Sequence, residues 1–152
     1  MAKNLLDNPI FIFIFSIIAI FLNTILASHF LLLIFSGFLF LAFNNALKNR
    51  YMYSLFVVII TFTIIEYNIG LKLFTLSIIS LFLYVFILPF VNRINSFNKS
   101  NNYVYIIIFY GLLHTIWGIQ TNFTEVLFFS LLINFVIDVI LIGALIWQID
   151  WI

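Results

Sequence analysis

Asp138 lies between Ile137 and Val139 in a long apolar segment, and it is the residue best placed for chemistry. A carboxyl group buried in lipid or among apolar helices costs about 3 kcal/mol or more, so such a group marks a proton relay, a ligand site or a helix–helix hydrogen bond. Asn134 precedes it by one helical turn and shares its face. His114 lies inside the preceding apolar segment. At 1.5 Å per residue, His114 falls about 16 Å, and Asp138 about 14 Å, from the inner ends of their helices. Antiparallel neighbours joined by a short loop bring the two to similar depth. The expected polar cluster is therefore Asp138 with His114, Asn134 and, from the first segment, Asn23. It can serve a proton or polar ligand, fix helix register, or face a partner's helices. Register is the commonest of these roles.

Other residues suggest support rather than catalysis. Glu66 and Lys72 flank the turn Glu66-Tyr67-Asn68-Ile69-Gly70, where Gly70 suits a helix C-terminal cap. The expectation is an interfacial salt bridge with Lys72 extended toward water. Glu125 is expected at a helix N-terminus, beside the positive end of the dipole. Gly111 and Gly118, seven apart, set small residues on one stripe, expected to pack inside the chain rather than against a partner. Gly143-Ala144 reads the same way. No H-E-x-x-H, G-x-S-x-G, Walker A or G-x-G-x-x-G occurs. With no cysteine, two histidines and five scattered carboxylates, no catalytic, cofactor or metal set is expected. Six Lys and Arg make no nucleic-acid surface.

The elements that position these residues are transmembrane helices. Of 152 residues, 66% are hydrophobic and 7% charged, against about 25% charged in soluble domains. Polar punctuation divides the chain into apolar segments at 9–26, 30–47, 51–65, 71–91, 103–119 and 125–147. Most approach the roughly 20 residues a span needs, and the third is short. The weakest boundary is the first, at Asn23-Thr24 and Ser28-His29, where one span plus a re-entrant piece would leave five helices. Runs such as 11–15 and 137–142 lack the alternation of barrel strands. The first segment is too long for a signal-peptide core and reads as a retained helix. The chain is expected to be one all-α membrane domain, 1–152, with about six spans. Placing both termini in the cytoplasm puts Lys3, Lys48, Arg50, Arg93 and Lys99 inside and only Lys72 outside. The longest loop, 92–102, is then cytoplasmic. Tyr103, Trp117, Trp147 and Trp151 near span ends suit the membrane interface. Sequons at Asn98 and Asn122 carry no weight, and no internal repeat is evident.

The stretch 62–79, Phe-Thr-Ile-Ile-Glu-Tyr-Asn-Ile-Gly-Leu-Lys-Leu-Phe-Thr-Leu-Ser-Ile-Ile, resembles the MreD family, small inner-membrane rod shape-determining proteins of bacteria. Glu66, Ile69, Gly70 and Lys72 stand where that family has an acidic residue, a Leu-Gly-like pair and a basic residue before the next helix. The segment 130–147 resembles the family's last helix. The chain departs from the family in lacking glycine between Tyr51 and Ile69, in using Glu66 where an Asp is usual, and in a very short first loop. The resemblance implies a non-enzymatic scaffold of cell-shape and peptidoglycan elongation (the elongasome). Its implied partners are an MreC-type protein, a RodA-type glycosyltransferase and its penicillin-binding partner, and indirectly the bacterial actin filament. The rival reading is the substrate-binding subunit of a vitamin or metal uptake transporter, which has a similar layout. Resemblance to those subunits implies an A-x-x-x-A-like stripe on the first helix, but here Ala19 is followed four residues later by Asn23. A third reading, a small membrane enzyme or proton-coupled carrier, rests on Asp138 and His114 alone.

Overall fold

The computed structural model describes residues 5–27, 33–94, 101–121 and 125–149. Lys3, Ser28-His29, Lys99, both sequons and Trp151 lie outside the described residues, as does most of the 92–102 loop. The described residues form six helices and no strand. Helix α1 is Pro9–Ala27, α2 is Ser36–Asn49 and α3 is Met52–Ile69. Helix α4 covers residues 75–94, as Thr75–Phe82, a π turn Leu83–Ile87 and Leu88–Ile94. Helix α5 is Asn101–Thr121 and α6 is Glu125–Ile149. A 3-10 turn, Leu5–Asp7, precedes α1.

Each apolar segment thus becomes one helix, with α1 and α2 separate. Two expected lengths need correction. The third segment is not short, because α3 continues through the polar residues 66–68 to Ile69 and makes a full 18 residues. What stops it is Gly70, at φ 79°, whose N–H bonds Glu66 O, with Leu71 N–H on the same carbonyl at 3.0 Å. Polar side chains punctuate the sequence there without ending the helix. The second segment is shorter than expected: α2 starts only at Ser36 and has 14 residues, roughly 21 Å of helix. Four helices are long and apolar enough to cross a membrane, at Pro9–Leu26, Met52–Ile69, Asn102–Gln120 and Glu125–Ala144.

Short α2 is the centre of the packing. Ser36 through Asn44 are all buried, so it is covered on every side. Phe38 packs on Phe15 with ring centroids 4.1 Å apart, and Phe40 stacks on Phe109 at 4.6 Å. The four long helices bury one face each, 28% to 33% of their apolar windows. Their other faces carry exposed Ile, Leu, Val and Phe, among them Ile10, Phe21, Phe56, Phe129 and Ile140. Water penalises such a surface over this extent, and lipid does not.

Side-chain ties fix the helix directions. Asn23, near the end of α1, donates to Ile34 O at 2.8 Å and accepts from Ile34 N–H at 3.0 Å, just before α2. At the other end, Asp7 accepts from Asn45 at 3.0 Å and Asn49 at 3.1 Å. So α1 and α2 run antiparallel. Asn68 donates to Thr24 at 2.8 Å, placing the ends of α3 and α1 together. In α4, Pro89 has no N–H to give to the carbonyl of Val85. The helix widens just before it, and Leu88 N–H reaches back five residues to Leu83 O.

Candidate functional site

Two helix starts share one construction. At α2, Phe35 is left-handed (φ 65°), Ser36 N–H bonds Leu33 O at 3.3 Å, and Leu39 N–H bonds Phe35 O at 2.9 Å. At α4, Phe74 is left-handed (φ 67°), Thr75 N–H bonds Lys72 O at 3.2 Å, and Ile78 N–H bonds Phe74 O at 2.9 Å. The second residue of each helix then gives its N–H to a buried carboxylate. Gly37 donates to Asp138 Oδ2 at 2.7 Å, and Leu76 donates to Glu66 Oε1. Glu66 Oε2 also accepts Phe74 N–H at 2.6 Å. At the buried Gly37 and Leu76, a helix start leaves N–H groups that neither water nor the helix can satisfy. A carboxylate there supplies acceptors and meets the positive end of the dipole. This Phe-Ser/Thr unit is a local repeat that went unseen in the sequence.

The Glu66–Lys72 salt bridge is therefore corrected. Glu66 is fully buried and both its oxygens take backbone N–H groups, while Lys72 is exposed. Desolvating Glu66 for an exposed lysine would lose more than it gains, whereas two backbone donors at a helix start satisfy it where it lies. Gly70 caps α3 as expected. Glu125 opens α6 as expected, exposed in its first turn.

Asp138 and Asn134 are both fully buried, one turn apart on α6. The α5 group that reaches Asp138 is Tyr110, one turn before His114. Its hydroxyl donates to Asp138 Oδ2 at 2.5 Å and lies 3.0 Å from Ser36 Oγ. His114 is half-buried, its ring edge-on to Phe128 with centroids 5.7 Å apart. Asn23 is fully buried but ties α1 to Ile34 rather than joining a cluster with His114. The site thus gathers α2, α5 and α6 around one carboxylate, with a chain Asp138–Tyr110–Ser36.

Gly37, Ser36 and Tyr110 are the members that sequence reasoning missed. A Cβ on Gly37 would lie 2.7 Å from Asp138 Oδ2 and 3.2 Å from both Ile106 and Tyr110, so only glycine admits the carboxylate this close. A usable signal was the small pair Ser36-Gly37 within an otherwise bulky segment. The Gly111–Gly118 stripe divides: Gly118 is buried, but Gly111 is exposed, with no atom within 4 Å of an added Cβ. Internal packing accounts for Gly118 and not for Gly111. At Gly143 an added Cβ would meet Tyr103 Oη at 3.5 Å, an ordinary contact. Among the described residues no three His, Cys, Asp or Glu gather as metal ligands. Comparison with protein-family models, curated proteins and solved structures finds no match to this chain.

Proposed function

We propose that this protein is a multi-pass scaffold of the MreD type in the bacterial inner membrane. In this reading the bundle spans the bilayer with both termini in the cytoplasm. It acts without catalysis, gathering cell-wall elongation proteins against its helix faces and short loops. The observation that carries the reading is the Glu66 turn, which lies in the stretch that resembles the family. Gly70 ends α3, Glu66 caps α4, and Lys72 stays exposed on the rim between them. A turn so fastened presents a fixed edge, with Tyr67 and Lys72 outward, for a partner to recognise. The apolar outer faces of the four long helices support the membrane setting. Lys48 and Arg93 in the last turns of α2 and α4, and Arg50 just after α2, all belong to helix ends that lead toward the end where α1 begins, which supports that end as the cytoplasmic one.

The test is crosslinked affinity purification from native membranes, with partners identified by mass spectrometry. The expected result is recovery of an MreC-type protein with a RodA-type glycosyltransferase and its penicillin-binding partner. Recovery of an ATPase with a transporter coupling subunit would overturn the scaffold reading and make the chain a ligand-binding subunit.

A further inference from the structure

The hydrogen bonds around Asp138 leave part of its capacity unused. Oδ2 takes both available donors, Gly37 N–H and Tyr110 O–H. Among the described residues, Oδ1 has no hydrogen-bond partner, and neither do Nδ2 and Oδ1 of Asn134. Both residues are 0% exposed. Buried polar atoms are nearly always partnered, so three such atoms on adjacent turns of one helix face call for a shared guest.

Charge defines what that guest is. The described lysines and arginines, Lys48, Arg50, Lys72 and Arg93, are all exposed. On α5 the titratable groups at this level are Tyr110, which already donates to Oδ2, and His114, a turn further on. Helix α2 presents Ser36 and Gly37 and carries no titratable side chain before Lys48 in its last turn. On α6 itself, Glu125 is more than three turns away and exposed. A carboxylate so placed has two neutral donors and a helix dipole but no full counter-charge among the described residues.

We propose that Asp138 and Asn134 form a buried site for a monovalent cation, either a proton on Asp138 Oδ1 or a sodium ion between Asp138 Oδ1 and Asn134 Oδ1. A proton turns Oδ1 into a donor that the amide oxygen of Asn134 accepts. Sodium uses the same two oxygens as part of its ligand set. Either cation neutralises the carboxylate that holds the start of α2, so occupancy and the seating of α2 are coupled. This site does not depend on the scaffold reading.

Infrared difference spectroscopy of the full chain in zwitterionic liposomes tests the site. One series steps pH in choline buffer, and the other steps sodium at fixed pH. The expected result is a carboxylic-acid carbonyl band, absent from Asp138→Asn, that vanishes as pH rises. Vanishing also on sodium addition at constant pH identifies sodium as a competing occupant, whereas indifference to sodium assigns the site to the proton alone. Asn134→Leu should move the midpoint by about one pH unit or more, or about tenfold in sodium, as loss of one hydrogen bond to the occupied form requires. Should Asp138→Asn fail to fold, carboxyl-labelled aspartate identifies the band in a chain carrying Asp7→Asn and Asp150→Asn, which leaves Asp138 as its sole aspartate. A carboxyl group that never protonates and ignores sodium overturns the proposal, as does a band indifferent to both pH and sodium. An unmoved midpoint in Asn134→Leu removes Asn134 from the site.

Discussion

At the scale of single residues, the molecule depends on a few polar atoms placed where replacements have no water to fall back on. The Asp138–Tyr110 contact predicts strong coupling. In a double-mutant cycle of Asp138→Asn and Tyr110→Phe, unfolding in detergent should give an interaction energy of about 1 kcal/mol or more. Simple additivity would contradict the hydrogen bond. Gly37 and Gly111 predict opposite outcomes for the same substitution. Gly37→Ala forces its Cβ against a buried carboxylate held by two donors and should destabilise by about 1–3 kcal/mol. Gly111→Ala meets open space in a helix and should stabilise by about 0.5–1 kcal/mol, read as a raised Tm. The sequence exposed Asp138 and Asn134 because polar groups stand out in an apolar run. It placed His114 opposite Asp138 because spacing fixes depth, whereas the contact also depends on where α2 starts. Nothing local announces that Gly37 donates to a residue 101 positions away.

At the scale of elements, the six helices were legible and their ends were not. Lipid-like segments read clearly because polar residues interrupt them. Ends depend on backbone conformation and tertiary caps: Phe35 and Phe74 adopt left-handed angles that disfavour any L residue by about 1–2 kcal/mol, and their sequences give no warning of it. Such conformations persist where the surrounding contacts over-determine them. The carboxylate caps are those contacts. Glu66→Ala should therefore loosen α4 specifically. Amide exchange at Phe74 and Leu76 should accelerate well beyond that in α5, with a global loss of about 2–3 kcal/mol. Exchange unchanged at those two amides would show that water, not Glu66, satisfies them.

At the scale of the whole molecule, a central helix buried on every side is enclosed by longer helices with apolar outer faces. The alternation of direction set by the Asn23, Asp7 and Asn68 ties leads to a test of topology. The chain has no cysteine, so single ones can be introduced without background. Tyr67→Cys, at the α3 end, and Asn49→Cys, at the α2 end, are both exposed positions. A membrane-impermeant maleimide should label them from opposite sides of oriented vesicles, with Asn49→Cys reached from the cytoplasmic side. Labelling of both from one side would contradict the spanning arrangement.

The late partner of α2 also constrains how the protein is made. Gly37 leaves the ribosome about 100 residues ahead of Asp138, which at ordinary elongation rates is about 5–20 s. Throughout that interval the start of α2 has no carboxylate to receive it, and a 14-residue helix is a poor independent insert. The start of α2 is therefore completed out of chain order, only once α6 has been made. A nascent chain that stops before Asp138 leaves that helix start unfinished, its Gly37 N–H without the carboxylate that receives it in the complete fold.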